Sequence, residues 1–442
     1  MKATTLQEMQ KEAARYITGG MSSSFRANQF TGLPMFVQRA DGPRFVDYAG
    51  REYIDFFLCH GAVLLGHNRP EIRDALVTSL SKGFFAGYDT QETIELGRKV
   101  CRAVPSAQSI RFVNSGTEGT LLSLRLARGY TGRHKIVRID GHFHGCHDYL
   151  FANNLAAKVD LENDGTRRSR VIGRTAGVPR IIDEVMIAVP WNNPEILERV
   201  LKEEGDRIAG IIMNVIDYNN GVFLTTKEYL QRVRALANQY DVVLIFDEIL
   251  SGFKTGLSCG QGYYGVTPDI CILGKALTND VPLAIVAGKK PIMDRIMDPS
   301  DPVIAGGTFS GNQLGVAAGN ACMDVLAAPG FYDAFLGRVE SFYRKVSDLF
   351  RMKGIPAVVP SLGAGFHIFL GTEAPLSSYR DLGRVDRKLT QRFFRHCIDL
   401  GLYFHTDFTV SAAHDSSTLD ETLERLETAM SRIKDERGKG DE

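Results

Sequence analysis

The stretch VVLIFDEILSGFKTG, Val242 to Gly256, opens with an apolar run that ends at Phe246 and then sets two carboxylates side by side, Asp247 and Glu248. A short apolar run bounded by polar residues reads as a strand covered on both faces, as in parallel sheets. A buried strand that ends in acids raises the question of which positive charge meets Asp247.

Working outward, RIAGIIMNV lies upstream and DICIL and LAIVAG lie downstream, each a further buried strand by the same pattern. HKIVRID is another short strand. TTKEYLQRVRALANQY reads as a helix: Thr225 and Glu228 have capping-box spacing, and Leu230, Val233, Ala237 and Tyr240 follow on one face. SIRFVNSGTEGTLLSLRLARGYTG reads as strand, turn and helix, with Leu122, Leu126 and Tyr130 recurring every fourth residue. Alternation of this kind predicts an α/β fold, with a mostly parallel sheet and helices on both faces.

The ends of the chain read differently. Residues 34–57 look like an antiparallel ribbon with turns at Asp41-Gly42 and Ala49-Gly50. From about residue 331, helices alternate with short strands such as GAGFHIFL. The expected organisation is a large central domain over 61–325 and a smaller α+β domain built from 1–60 and 326–442.

Composition bounds the function. The chain has 442 residues, 44% hydrophobic and 24% charged, which suits a large packed core. Lys+Arg and Asp+Glu are both 52, so no global field calls for nucleic acid or an anionic membrane. The seven cysteines are scattered and form no CxxC pair, which points to a reducing cytoplasm rather than a disulfide framework. The N-terminus has no apolar core of a secretory signal.

In open parallel sheets ligands bind beyond the carboxyl ends of the strands. After RFV comes Asn114-Ser115-Gly116-Thr117-Glu118, small residues that open a helix and leave its first amides for an anion. After VVLIF comes Asp247, and after DICIL comes Gly274-Lys275. Singly, these are a cap, a structural acid and a solvated lysine. Together they match pyridoxal 5'-phosphate, whose phosphate needs amides, whose pyridine nitrogen needs a carboxylate and whose aldehyde needs a lysine amine. The charge facing Asp247 is then the protonated pyridine nitrogen. At about 3 Å and an effective dielectric of about 20, such a pair attracts by roughly 5 kcal/mol before desolvation. His142, His144, Cys146 and His147 lie close in sequence, but a Gly-interrupted turn does not give the i, i+4 spacing of helical metal ligands, so no metal is expected.

The motifs FVNSGTEG, GHFHG, FDEILSGF, YGVTPDICILGKAL and GGTFSGNQLGVAAG resemble the class III (ω) aminotransferases, over nearly the whole chain and in the family's order. GGMSSSFRA, HGAVLLGH and LARGYTGRHKI are similar to the branch containing glutamate-1-semialdehyde aminomutase and D-phenylglycine aminotransferase. The resemblance implies a fold-type I pyridoxal-phosphate enzyme with a mostly parallel seven-stranded sheet in its large domain. It implies Lys275 as the Schiff-base lysine and proton carrier and Asp247 as the partner of the pyridine nitrogen. Ile249 would pack on the ring and Phe143 stack on it, while Ser115, Gly116 and Thr117 cradle the phosphate. His144 and Asn214 would lie beside the cofactor. Thr308 would reach the phosphate of a neighbouring subunit, making a homodimer with shared sites. Arg26 would grip a substrate carboxylate and His60 line the substrate pocket.

Three departures stand out. Asn214-Val215-Ile216 replaces the family's Glu-Pro-Val, Thr278-Asn279-Asp280 replaces a glycine run, and His405-Thr406-Asp407 stands where the aminomutases place a glutamate. Glycine supplies positive φ or close backbone approach, so Thr278 in its place is expected to bring strain or a changed path. The expected activity is amino transfer between an α- or β-amino carboxylate, including D-configured or aromatic ones, and a keto acid. An aminomutase or racemase on the same scaffold is the alternative, and a non-catalytic protein of this fold is a third reading.

Overall fold

Seven apolar runs pair into one sheet in the order Ser109–Val113, Ala284–Gly288, Ile270–Leu273, Val243–Asp247, Ile208–Met213, Lys135–Ile139, Met186–Val189. Ala284–Gly288 pairs antiparallel with both neighbours, and every other adjacent pair is parallel. The computed structural model describes residues 5–154, 162–163, 166–173 and 175–438. The chain divides into two units, of which the larger holds Glu71–Tyr332 and Leu376–Arg380. The other holds the residues up to Pro70, Asp333–Pro375 and those from Asp381 onward.

The sheet's position follows from its composition. Ile208–Met213 and Val243–Asp247 are buried at every residue, because helices cover both faces of a parallel sheet. Gly116–Thr131 is one of these helices, and Leu122, Leu124 and Leu126 pack with Ile136, Ile245, Ile272 and Val286 in one core cluster. Glycines permit close approach in that layer: a Cβ at Gly119 would lie 2.7 Å from Ile272 Cγ2. The helix Lys227–Gln239 is present, but its cap is Thr226, whose side chain accepts the Tyr229 amide. Thr225 instead donates its hydroxyl to Asn192 at 2.7 Å. Adjacent threonines offer the same chemistry, and the chain path from the preceding strand selects between them.

In the other unit, Val37–Asp41, Arg44–Asp47 and Glu52–Asp55 form the antiparallel ribbon. Leu402–Tyr403 adds to it in parallel, with Leu402 opposite Ile54, which joins N- and C-terminal chain in one sheet. An aromatic core lies beneath: Phe56 stacks on Phe404 at 4.9 Å, and Phe394 and Phe408 meet Phe404 at 5.1 and 4.8 Å. Among the described residues no single helix is long and apolar enough to cross a membrane.

Candidate active site

Asp247 is the last residue of its strand and only 4% exposed. Its Oδ2 lies 2.8 Å from His144 Nδ1, and its Oδ1 accepts the Ile249 amide at 3.1 Å. Burial lowers the His144 pKa, against the opposing pull of Asp247, so the ring is neutral and donates Nδ1–H to the carboxylate. No lysine or arginine among the described residues pairs with Asp247. Alternation along the strand turns Glu248 to the opposite face. There it accepts the amides of Gly260 and Gln261 at 2.6 and 3.2 Å and the Gln261 side chain at 3.0 Å. Burial raises its pKa, and its role is to tie down the following segment. Of the two acids in the opening stretch, Glu248 is held by donors of the following segment, and Asp247 pairs with no lysine or arginine among the described residues.

The anion cradle lies at the end of Ser109–Val113. Ser115 is the extended cap of Gly116–Thr131, its Oγ accepting the Glu118 amide at 3.2 Å. Glu118 in turn accepts the Asn114 amide at 2.9 Å. The first-turn amides of Gly116 and Thr117 have no intrahelical acceptor. Two glycines shape the floor. A Cβ at Gly116 would lie 3.0 Å from Ile249 Cγ1, and one at Gly274 would lie 2.9 Å from Ile249 Cδ1. Ile249 thus fills a slot between the helix start and the residue preceding Lys275.

The GHFHG turn closes the same side. A Cβ at Gly145 would lie 2.5 Å from Thr117 Oγ1, and the Cys146 amide donates to that oxygen at 3.3 Å. Buried Arg138 holds the turn by donating to the carbonyls of His142, Leu150 and Asn153. Phe143 is half-buried at its centre. The histidines have separate partners: His142 Nδ1 accepts the Asn214 amide at 3.0 Å, and His147 Nε2 meets Thr120 Oγ1 at 3.2 Å. Asn214 also donates to the Asp247 carbonyl at 3.1 Å. The structure therefore brings together Ser115, Gly116, Thr117, His144, Asn214, Asp247, Ile249 and the Gly274-Lys275 step.

Lys275 opens a short 3-10 turn at φ 46°, in the left-handed region. Thr278 has an ordinary φ of −126°, so the strain expected there falls on its neighbours instead. Asn279 and Asp280 sit at φ 48° and 106°, the task that glycines perform elsewhere in the family. Such residues cost of order 1–3 kcal/mol each and persist where their surroundings hold them. Thr278 supplies that hold, its hydroxyl donating to the Val281 carbonyl at 2.5 Å.

These groups fit pyridoxal 5'-phosphate. Asp247 lacks a cation, the cradle amides lack acceptors, and Asn214 Oδ1 and His144 Nε2 are buried without a partner among the described residues. When bound, the cofactor supplies an aldehyde that takes up amines and a cationic ring that withdraws electrons.

Arg26 and His60 belong to the other unit. Arg26 is exposed, and no acid among the described residues pairs with its side chain. His60 stands in a run of four left-handed residues, Leu58, Cys59, His60 and Gly61, at φ 47°, 55°, 57° and 66°. Asp55 steadies that run by accepting the amides of Phe57 and Leu58. His60 Nδ1 lies 3.1 Å from Asp407 Oδ1, and the Thr406 hydroxyl donates to the same oxygen at 2.8 Å. Burial lowers the neighbouring His405 to a pKa of about 4. Asp407 as the partner of His60 was not found from sequence, where only its replacement of a family glutamate was visible. Thr308 lies on an exposed loop, next to Gly307, which packs near Asn114 of its own chain.

A parallel-rich seven-stranded α/β sheet with these groups on its carboxyl rim has the architecture of the fold-type I pyridoxal-phosphate enzymes. The model of the aminotransferase class-III family matches residues 25–433, and the chain belongs to that family. It is a pyridoxal-phosphate-dependent aminotransferase. Its structure is similar to an ω-transaminase from Sphaerobacter thermophilus, at 26% identity over 98% of both chains with a TM-score of 0.91. It shares the fold of a β-phenylalanine aminotransferase from Variovorax paradoxus, at 24% identity over 96% of this chain and 93% of that one with a TM-score of 0.84. It also shares the fold of a glutamate-1-semialdehyde aminomutase from Pseudomonas aeruginosa PAO1, at 21% identity over 97% and 94% with a TM-score of 0.84.

Proposed function

We propose that this aminotransferase moves an amino group between an amino carboxylate, with its amine α or β to the acid, and a keto acid. Lys275 is the amine that joins the cofactor's aldehyde and carries the proton at the substrate carbon. Asp247, kept acceptor-only by its bond from neutral His144, holds the pyridine nitrogen. Ser115, Gly116 and Thr117 take the phosphate, Ile249 and Phe143 bracket the ring, and Asn214 lies beside it. The observation that carries this reading is the buried Asp247, with no lysine or arginine paired to it among the described residues, on the same rim as an open helix start and Lys275. The test is a two-stage reaction. A panel of L-, D- and β-amino acids is added to the coloured holoenzyme, and a keto acid is then added. Bleaching by an amino acid and return of colour only with the keto acid supports transfer. Turnover of a single substrate without any keto acid establishes an isomerase instead.

Arg26 is the carboxylate clamp in this reading, which its exposed side chain, with no acid paired to it among the described residues, supports. An arginine fork holds both carboxylate oxygens in a way lysine cannot copy. Removing one partner of such a pair costs about 2–5 kcal/mol, or roughly 30- to several-thousand-fold in kcat/KM. Arg26→Ala is expected to lose that much on an accepted amino acid and almost nothing on its decarboxylated amine. Equal losses on both substrates would remove Arg26 from this role.

The enzyme works as a homodimer in which Thr308 serves the partner's cofactor. Ile304 and Phe309 beside Thr308 are 69% and 55% exposed on the single chain, as are Phe84 and Tyr88 at 55% and 74%. Gln313 links the two segments by donating to the Phe85 carbonyl at 2.7 Å. Apolar side chains so displayed mark an interface. Light scattering on serial dilution should give a dimer that loses cofactor as it dissociates, and fully loaded, active monomers would refute the shared site. Seven cysteines, none of them in a disulfide, support a cytoplasmic location, which cell fractionation tests.

A further inference from the structure

Tyr379 lies in the larger unit, although the chain on both sides of Leu376–Arg380 belongs to the other one. Its hydroxyl donates to Asp217 Oδ2 at 2.6 Å. Asn220 donates to the same oxygen at 2.6 Å and to the Gly141 carbonyl at 3.0 Å, while the Asn219 amide takes Asp217 Oδ1 at 3.0 Å. The Tyr379 ring also covers Gly141, where a Cβ would lie 2.2 Å from ring Cε2. Gly141 begins the GHFHG turn, whose far end, Gly145, is fixed against Thr117.

A second path runs through rings. Trp191 stacks on Tyr379 at 5.8 Å and meets His142 edge-on at 4.7 Å. His142 accepts the Asn214 amide, and Asn214 donates to the Asp247 carbonyl. Both paths leave one tyrosine–aspartate pair and end on Asp247, by way of His144 in the first case and Asn214 in the second.

A buried carboxylate is a poor device for stability alone, since apolar side chains of similar volume pack as well without the desolvation cost. Burial raises the Asp217 carboxyl to about 6 and the Tyr379 hydroxyl well above its ordinary range. Above pH 7 the proton therefore stays on tyrosine, and the short O–H···O⁻ bond is charge-assisted and directional.

We infer that Tyr379 and Asp217 are positioning residues for the cofactor ring: through Asn220 and Gly141 they fix the turn that carries Phe143 and His144, and through Trp191 and His142 they fix Asn214 beside Asp247. The inference rests on Asp247 being the partner of the pyridine nitrogen.

Tyr379→Phe removes only the hydroxyl. Tyr264→Phe is the control, because Tyr264 is also buried in the larger unit and donates one bond, to the Thr225 carbonyl at 3.3 Å. Mutating the outer-sphere partners of metal ligands typically costs 10- to 100-fold in affinity, and the same scale is expected for residues that hold a cofactor's ligands. In the holoenzyme, Tyr379→Phe is expected to raise the pyridoxal-phosphate Kd by about 10-fold and to shift the pH midpoint of the cofactor's visible band. Tyr264→Phe should change thermal stability only. If Tyr379→Phe keeps the parent Kd and midpoint while Asp247→Asn weakens binding, the inference is wrong. If neither weakens binding, the reading of Asp247 falls with it. Should Tyr379→Phe fail to fold, Asn220→Ala frees the Gly141 carbonyl without touching a ring, and the same two measurements decide in the same way.

Discussion

Lys275→Ala is expected to abolish turnover, by about 10⁴-fold or more, while leaving the fold intact. Positioned proton transfer alone contributes about 10²–10⁴-fold, and the lysine also supplies the amine that joins the cofactor. The fold should survive because Lys275 is only half-buried and sits at φ 46°, a conformation no easier for lysine than for alanine. Circular dichroism should therefore match the parent. Borohydride reduction of the holoenzyme should add the cofactor's mass to the peptide containing Lys275. Lys254 is the instructive comparison: it is fully buried, with its ammonium 4.7 Å from the centre of the Tyr218 ring. Label on Lys254, or on any lysine other than Lys275, would overturn the assignment.

Asp247→Asn is the second large effect. The substitution keeps size and shape, and an asparagine oxygen can still accept from His144 Nδ1, so what is lost is the charge and the second acceptor, which takes the Ile249 amide. A cationic ring left without its partner in a buried site forfeits about 2–5 kcal/mol. Cofactor affinity should fall by roughly 30- to several-thousand-fold, at one decade per 1.4 kcal/mol. The pH at which the cofactor's pyridine nitrogen gives up its proton should fall as well, because it would lose the carboxylate that favours protonation. Glu248→Gln tests the division between the two acids. Glu248 accepts from Ser251, Gly260 and Gln261 inside the protein, and a glutamine there turns a donor toward other donors. Its cost should appear in thermal stability, at about 1–3 kcal/mol, with the cofactor Kd near that of the parent. Equal cofactor losses for the two substitutions would show that the acids do not divide as the strand geometry has them.

Much of the large sheet was legible because its strands are covered on both faces. Runs such as Ile208–Met213 and Val243–Asp247 are apolar at nearly every position, and the polar groups at their carboxyl ends stand on the ligand rim. Ser115, Asp247 and Lys275 could be named for that reason: each stands within two residues of the end of an apolar run. Met186–Val189, at the sheet edge, is as fully buried, yet its four residues carry too little periodicity to separate strand from helix. Ala284–Gly288 reads as one more buried strand, and nothing in its residues says that it runs antiparallel. Thr226 takes the cap that Thr225 had the spacing for, because the choice depends on where the preceding chain arrives.

By itself, then, the sequence determined the elements, the order of the strands along the chain and the chemical groups at their ends. Those depend on patterns a few residues long, in which burial and local hydrogen bonding act on neighbours. Tertiary structure alone decided which distant groups meet. His60 and Asp407 are 347 residues apart in sequence, His144 and Asp247 are 103 apart, and Tyr379 and Asp217 are 162 apart. It also decided where the backbone is held in the left-handed region, at Leu58 to His60, Lys275, Asn279 and Asp280, none of them glycine. The physical reason is the same for both: a buried polar pair or a strained φ is unfavourable locally, and it persists only where packing from remote parts of the chain outweighs that local preference.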